Sequence, residues 1–169
     1  SAPFPALWTR LPISMPAAPL SEPLIVTRYK GEVWRLVEAQ QLKRLPGLAT
    51  RDGQRLIVTL FPSGTTTFED VDTLAGGTSY ALYDYVNELN AVVLWTQRDD
   101  DAGFLLLQRA TGRRTPLPAE PIVAPDRQRI AIADFCPQRC ENLLSVWRVS
   151  RDAVAREADW KPAEAWDDA

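Results

Sequence analysis

The chain has 169 residues, of which 46% are hydrophobic and 24% charged, and its formal net charge is −3 at pH 7. This length and composition predict one soluble globular domain with a buried core. The negative charge and the scattered Lys and Arg argue against nucleic acid as a partner, because phosphate binding needs a gathered basic patch. No apolar run approaches the roughly 18 to 20 residues that cross a bilayer, so we expect no membrane span.

The first 23 residues are rich in proline, with prolines at positions 3, 5, 12, 16, 19 and 23. Proline disfavours helix interiors and central strands, so residues 1–23 are predicted to form an extended arm. We expect this arm to dock on the body of the domain, because a disordered segment rarely holds so many large apolar side chains. These side chains are Phe4, Leu7, Trp8, Leu11 and Ile13.

From residue 24 onward the pattern predicts β-structure. Short runs rich in β-branched and aromatic residues are separated by Gly, Pro, Asn and Asp. The predicted strands are residues 24–29, 54–61, 91–97, 104–109, 129–135 and 143–149. A short helix over residues 151–158, with Asp152 as its N-cap, is a further option near the C-terminus.

Two stretches nearly repeat each other: residues 51–61 read RDGQRLIVTLF and residues 125–135 read PDRQRIAIADF. Each combines a turn signal with a similar strand, which indicates repeated β units. Candidate unit starts at Val33, Phe68, Leu105 and Val146 are about 35 to 41 residues apart. We therefore expect a single β domain over residues 24–169 with about four antiparallel units of about 37 residues.

Residues 124–134, a loop and then Val146-Trp-Arg-Val resemble a β-propeller blade of the TolB or WD40-like kind. In such blades a Ser-Pro-Asp-Gly turn leads into one strand and a Val-Trp-x-Val strand follows. Residues 51–58 resemble the same unit. In residues 124–134, Arg127 stands where such blades usually have the turn glycine. The resemblance covers residues 33–149 and implies an all-β domain, either a small or partial propeller or a twisted open β domain, and it implies no activity.

Cys136 and Cys140 lie in a segment in which Pro137 and Asn142 mark a turn. A disulfide across so short a loop would stabilise the fold by about 2 kcal/mol. Two free thiols and a redox or metal pair are the alternatives. The chain has no histidine, which disfavours zinc, and redox motifs usually separate their cysteines by two residues.

A disulfide indicates an oxidising compartment. The chain starts at Ser1 without a Met or an apolar leader, as expected of a mature exported protein or of a trimmed chain. We therefore expect a periplasmic or secreted location.

Aromatic residues supply the binding candidates. Three tyrosines and an aspartate form the densest aromatic cluster, which can line a groove or can equally be one buried face of a strand. Two tryptophans near the C-terminus are expected to be exposed and to belong to an interface. The six candidates are Tyr80, Tyr83, Asp84, Tyr85, Trp160 and Trp166.

Catalytic, metal and cofactor sites are not expected. Without histidine no Ser/His/Asp or Cys/His arrangement exists, and no glycine-rich loop has the context of a phosphate cradle. Asp99-Asp-Asp lacks the alternating spacing of a calcium loop and predicts a hairpin tip. The sequence 68–73 places Glu69 on one strand face and Asp70 and Asp72 on the other. They could hold a cation or act as acid and base, but a solvated outer face or a turn before Gly76 and Gly77 is the expected role.

The sequence therefore favours an exported, non-enzymatic protein-interaction module of accessory or immunity type. Such a module would bind a protein partner through strand edges and loops. The alternatives are a small-ligand or cation-binding β domain and a carboxylate-dependent hydrolase using Glu69, Asp70 and Asp84. The oligomeric state stays open.

A thiol titration tests the predicted disulfide. We expect no reactive thiol in the unreduced protein and two per chain after reduction, because Cys136 and Cys140 are the only cysteines. Two thiols that react without reductant would contradict the disulfide and remove the basis of the export prediction.

Overall fold

The computed structural model describes residues 23–73, 76–136 and 140–161. Residues 1–22 of the predicted arm and Trp166 lie outside this part of the chain. The described residues form a 22-residue helix, α1 (Pro23–Arg44), and three antiparallel sheets. The all-β class is confirmed, with this helix as an addition that the sequence did not predict.

Each sheet is a meander in which strands that follow each other in the chain are also neighbours. The first sheet contains β1 (Ala49–Asp52), β2 (Arg55–Thr59) and β3 (Thr65–Glu69). The second contains β4 (Val71–Thr73), β5 (Gly76–Val86), β6 (Ala91–Arg98), β7 (Asp101–Gln108) and β8 (Arg113–Leu117). The third contains β9 (Pro121–Val123), β10 (Arg129–Asp134), β11 (Leu143–Val149) and β12 (Val154–Trp160).

The second sheet lies between the other two and is buried on both faces. One face contributes Leu82 and Leu94 to a core shared with Phe68 of the first sheet. The opposite face contributes Leu106 to a core shared with Ile132 of the third sheet. Residues 91–95 of β6 are therefore buried without alternation, as expected for a strand covered on both sides.

Five of the six predicted strands overlap observed strands, and residues 143–149 match β11 in full. Asp99 and Asp100 form the tight turn between β6 and β7, as the hairpin-tip prediction required. These segments were predictable because alternating apolar residues and turn residues are local signals.

The strand predicted over residues 24–29 is wrong, since these residues belong to α1. The unit start at Val33 is also helical, whereas the similar Val146-Trp-Arg-Val belongs to β11. Val33, Val37 and Gln41 share a buried helical face, with Glu38 beside them. Two of these four buried positions are polar, so the helical period was hidden in the hydrophobic pattern.

The helix considered over residues 151–158 is also wrong, because this segment forms most of β12. Ser150 N donates to Ala153 O at 2.9 Å and closes a tight hairpin turn. β12 then pairs with β11, and Val154 packs against the core. Tertiary pairing overrides the weak helix preference of so short a segment.

The two similar stretches form similar hairpins. Gly53 in the β1–β2 turn and Arg127 in the β9–β10 turn both have φ of 59°. In the strands that follow, Leu56 and Val58 are buried, as are Ile130 and Ile132. The described chain nevertheless has three sheets of three, five and four strands rather than about four equal units.

Cys136 and Cys140 lie at disulfide distance, with their Cα atoms 5.5 Å apart. The expected cysteine pairing is therefore confirmed. It closes the connection between β10 and β11, next to Phe135. No helix in the described ranges is long and apolar enough to cross a membrane.

The core between the first two sheets should depend on Phe68, whose side chain is fully buried. We expect Phe68→Ala to lower the free energy of unfolding by about 3 to 5 kcal/mol, because it removes apolar contacts and leaves a cavity. The neighbouring Thr67→Ala, on the exposed face, should change it by less than about 0.5 kcal/mol. Urea denaturation measures both, and equal losses would contradict this description of the core.

Candidate functional site

The edge of β5 that faces away from β6 is only partly covered by a strand. β6 pairs with β5 along residues 78–86, whereas β4 pairs only with Gly76, Gly77 and Thr78. Beyond Thr78 the backbone groups on this edge need other partners, because an unpaired buried polar group costs about 1 to 3 kcal/mol.

Side chains supply these partners in place of a strand. Tyr80 N donates to Asp70 Oδ1 at 2.8 Å, and Leu82 N donates to Glu38 Oε2 at 2.8 Å. Tyr80 O accepts from Arg51 Nη2 at 2.7 Å. Gln41 Nε2 of α1 donates to Tyr83 O at 2.7 Å, next to the β-bulge in β5. The helix and β1 therefore hydrogen-bond to the sheet edge through side chains.

Four charged residues at this edge form an ion-pair network, namely Arg35, Glu38, Arg51 and Asp70. Arg51 donates through Nε and Nη2 to both oxygens of Glu38, each at 2.7 Å. Its Nη1 lies 3.3 Å from Asp70 Oδ2, which Arg35 also contacts. The side chains of Glu38, Asp70 and Arg51 are only 4, 12 and 15% exposed, so the two-point pairing is largely shielded from water.

The ion-pair network forms the floor of a cleft of about 850 Å³. Its walls come from the β1–β2 turn, β4 and the ends of β5 and β6 that lie beside them. The polar wall residues include Asp72, Thr78, Ser79, Gln97 and Asp99.

The two acidic residues of the cleft floor, Glu38 and Asp70, are already engaged. Both oxygens of Glu38 and of Asp70 accept hydrogen bonds from guanidinium or backbone N–H groups. Glu69 points to the opposite side of the first sheet, and Asp84 pairs with Arg44. The three carboxylates considered for a hydrolase are thus separated. In the described ranges no group of His, Cys, Asp and Glu has the arrangement of a metal site.

The tyrosine cluster is divided between two faces of the second sheet. Tyr80 packs on Phe68 at 5.2 Å between ring centres, on the side of the first sheet, and Tyr85 also lies on that side. Tyr83 lies on the other side and packs on Trp34 at 5.2 Å. Strict alternation would place Tyr83 and Tyr85 together, but the bulge between Leu82 and Asp84 separates them.

Tyr83 is buried and contributes to the packing of the domain. Its hydroxyl donates to Glu120, and burial together with this carboxylate raises the pKa of the tyrosine well above its usual value. Asp84 accepts from Tyr85 N at 2.8 Å. The four clustered candidates therefore do not line one groove.

Trp160, by contrast, is exposed and lies at the end of β12, which is an edge strand. β12 pairs with β11 on one side and has no strand partner on the other among the described residues. All of its residues except Val154 are exposed, and Trp160 is 59% exposed. A free strand edge of this length can accept an added strand.

The third sheet also presents an apolar outer face, directed away from the second sheet. Strand register places Ala133, Leu144 and Trp160 in one row of this face, and Ala131 and Val146 in the next. None of these residues belongs to either core cluster. The outer face consists of Ile122, Ala131, Ala133, Leu144, Val146, Ala158 and Trp160, with the half-exposed Phe135 at its margin.

The sequence indicated Trp160 but missed this face. Its other members are small or aliphatic residues that are indistinguishable from core residues until the register is known. The alternation of Ile130, Ile132 and Asp134 with Ala131 and Ala133 was the available signal. It shows a two-sided strand, but it does not say which side stays uncovered.

A row of charges bounds the outer face at the end away from Trp160. Glu157 accepts from Arg129 Nε at 2.7 Å and from Arg148 Nε at 2.8 Å. The hydrogen bonds from these two guanidinium groups lower the pKa of the Glu157 carboxyl, and Arg129 has the larger effect. Arg129 also pairs with Asp126, so the row combines two positive and two negative groups.

Comparisons of the chain with protein-family models, with curated proteins and with solved structures find no match.

The ion-pair network should be required for stability. We expect Arg51→Leu to lower the free energy of unfolding by about 3 to 5 kcal/mol, because it leaves Glu38 buried without its partner. The control Arg55→Leu removes an exposed pair with Asp52 and should cost at most about 1 kcal/mol. Urea denaturation measures the loss, and faster amide exchange at Tyr80 would locate it. Equal losses in both variants would contradict this role.

Proposed function

We propose that this protein is an exported, non-enzymatic interaction module, of accessory or immunity type, that binds a protein partner by accepting a β-strand along β12. The observation that carries the proposal is the outer edge of β12, which no strand in the described part of the chain pairs with and which is seven residues long and almost entirely exposed. Main-chain hydrogen bonds along such an edge supply affinity, and neighbouring side chains supply specificity.

The charges of β12 favour a strand from a different protein over a second copy. Two-fold antiparallel pairing of β12 with itself has three registers that pair at least five residues. They oppose Arg156 to Arg156, Glu157 to Glu157, or Glu157 to Asp159. Like charges directly opposite each other destabilise a sheet. A suitable partner strand would place acidic residues opposite Arg156 and basic residues opposite Asp159.

The Cys136–Cys140 pair supports the exported location. Disulfides persist in oxidising compartments, and this one closes the connection between two strands of the sheet that would bind the partner. A periplasmic or secreted location is part of the proposal.

The arrangement of the sheets supports a propeller-like interpretation of the fold. Three consecutive meanders stack face to face, as blades do. The two similar stretches of sequence supply β2 and β10, which are the second strands of the first and third meanders. We therefore propose that the sheets are blade-like units of a partial, open propeller.

Small-ligand binding is a second candidate function, favoured by the cleft, whose volume of about 850 Å³ lies in the usual range of ligand sites. The neutralised floor disfavours a bare cation or a carboxylate-dependent hydrolase. A ligand there would have to use the polar wall residues such as Ser79 and Gln97.

A proline in β12 tests the main proposal. Ladder bonds alternate along antiparallel strands, and the hairpin bond from Ser150 N to Ala153 O sets their phase, so Arg156 N–H faces the free edge. Arg156→Pro removes this donor and obstructs an added strand. Arg156→Ala is the matched control, because it removes the same side chain and leaves the backbone intact.

We expect wild-type protein and Arg156→Ala to capture the same partner from an envelope or secreted fraction, and Arg156→Pro to lose it. Circular dichroism should show that all three proteins are folded, and partner binding should slow amide exchange in β12. Equal capture by Arg156→Pro, or the absence of any specific partner, would overturn the proposal.

A further inference from the structure

The two ends of the stack of sheets differ in chemistry. The outward side of the first sheet carries Thr50, Arg55, Thr67 and Glu69 around a single aliphatic residue, Ile57. The outer face of the third sheet is apolar across all four strands, and its only charged row lies at one end. An apolar patch of this kind on a protein surface marks an interaction site.

This difference restricts how copies of the chain can associate. Head-to-tail stacking would press the apolar outer face against the threonine-rich side of the next copy. A two-fold arrangement instead sets the same face of both copies together, so apolar side chains meet apolar side chains and the assembly closes at two. We propose that the outer face of the third sheet binds the same face of a second copy of this chain.

The charged row is compatible with this dimer. Glu157 lies between Arg129 and Arg148, and Asp126 pairs with Arg129, so the positive and negative groups balance. Two copies can therefore approach without bringing an unpaired charge against its like. The unpaired edge of β12 is not used in this contact and remains open to a partner strand.

The size of the face sets the strength of the dimer. Four strands about 4.8 Å apart and seven residues about 3.3 Å apart give a flat area of about 400 Å². Stable protein interfaces bury about 800 Å² of accessible surface on each partner. The flat area of this face is about half that value, so the dimer should be weak and dissociate on dilution.

A charge placed in the centre of the face tests the dimer. Ala133 is exposed in the middle of the outer face, and Ala133→Lys would place two positive charges against each other across the two-fold axis. Thr67→Lys is the matched control, since Thr67 is exposed at a similar position on the first sheet. Neither residue belongs to the ion-pair network or to the edge of β12.

Sedimentation equilibrium over a range from micromolar to several hundred micromolar is the measurement. We expect wild-type protein and Thr67→Lys to pass from the monomer mass of 18.9 kDa to twice that value. We expect Ala133→Lys to weaken association at least tenfold. A monomer at every concentration, or a dimer that Ala133→Lys leaves unchanged, would overturn the proposal.

An Ala133→Cys variant distinguishes a second copy on the outer face from another segment of the same chain or a different partner protein. If the dimer forms, thiol labelling at position 133 should be fast in dilute protein and slow in concentrated protein. Slow labelling in a dilute monomer would assign the face to another segment of the same chain and overturn the proposal. Slow labelling only when a captured partner is added would assign it to that partner, with the same consequence.

Discussion

The fold depends on how the edge of β5 that lies opposite β6 obtains hydrogen-bond partners. This strand has eleven residues, but β4 covers only its first three. Further along this edge, four backbone groups of Tyr80, Leu82 and Tyr83 bond to side chains from α1, β1 and the β3–β4 connection, namely Glu38, Gln41, Arg51 and Asp70. Elements that are distant in sequence are thereby fixed on one strand, and the position of α1 and the orientation of the first sheet follow from this requirement.

The same arrangement decides what the cleft can do. A buried ion pair is costly to form and more costly to break, so Arg51 and Glu38 act as a unit. Removing either residue leaves the charge of the other buried without its partner. Their hydrogen-bonding capacity is consumed by each other and by β5. The cleft thus has a saturated charged floor, which favours a structural role for its acidic residues over acid–base chemistry.

The third sheet offers two surfaces of different chemistry. The edge of β12 presents backbone donors and acceptors flanked by Arg156 and Asp159, whereas the outer face presents side chains of small and aromatic apolar residues. The first surface suits directional pairing with a charge-matched strand, and the second suits non-directional burial against a similar face. A change confined to one surface leaves the other intact, so the two proposals can fail independently.

The sequence by itself determined five of the twelve described strands, the hairpin at Asp99, the cysteine pairing and the exposure of Trp160, because alternation, turn residues and short loop closure are local properties. Only the tertiary structure decided that residues 23–44 are helical, because two of their buried side chains are polar and find partners on β5. It also decided the separation of Tyr83 from Tyr85, through one bulge, and the exposed side of the third sheet. Burial on a given face depends on which element packs there, and the residues of a single strand do not specify that neighbour.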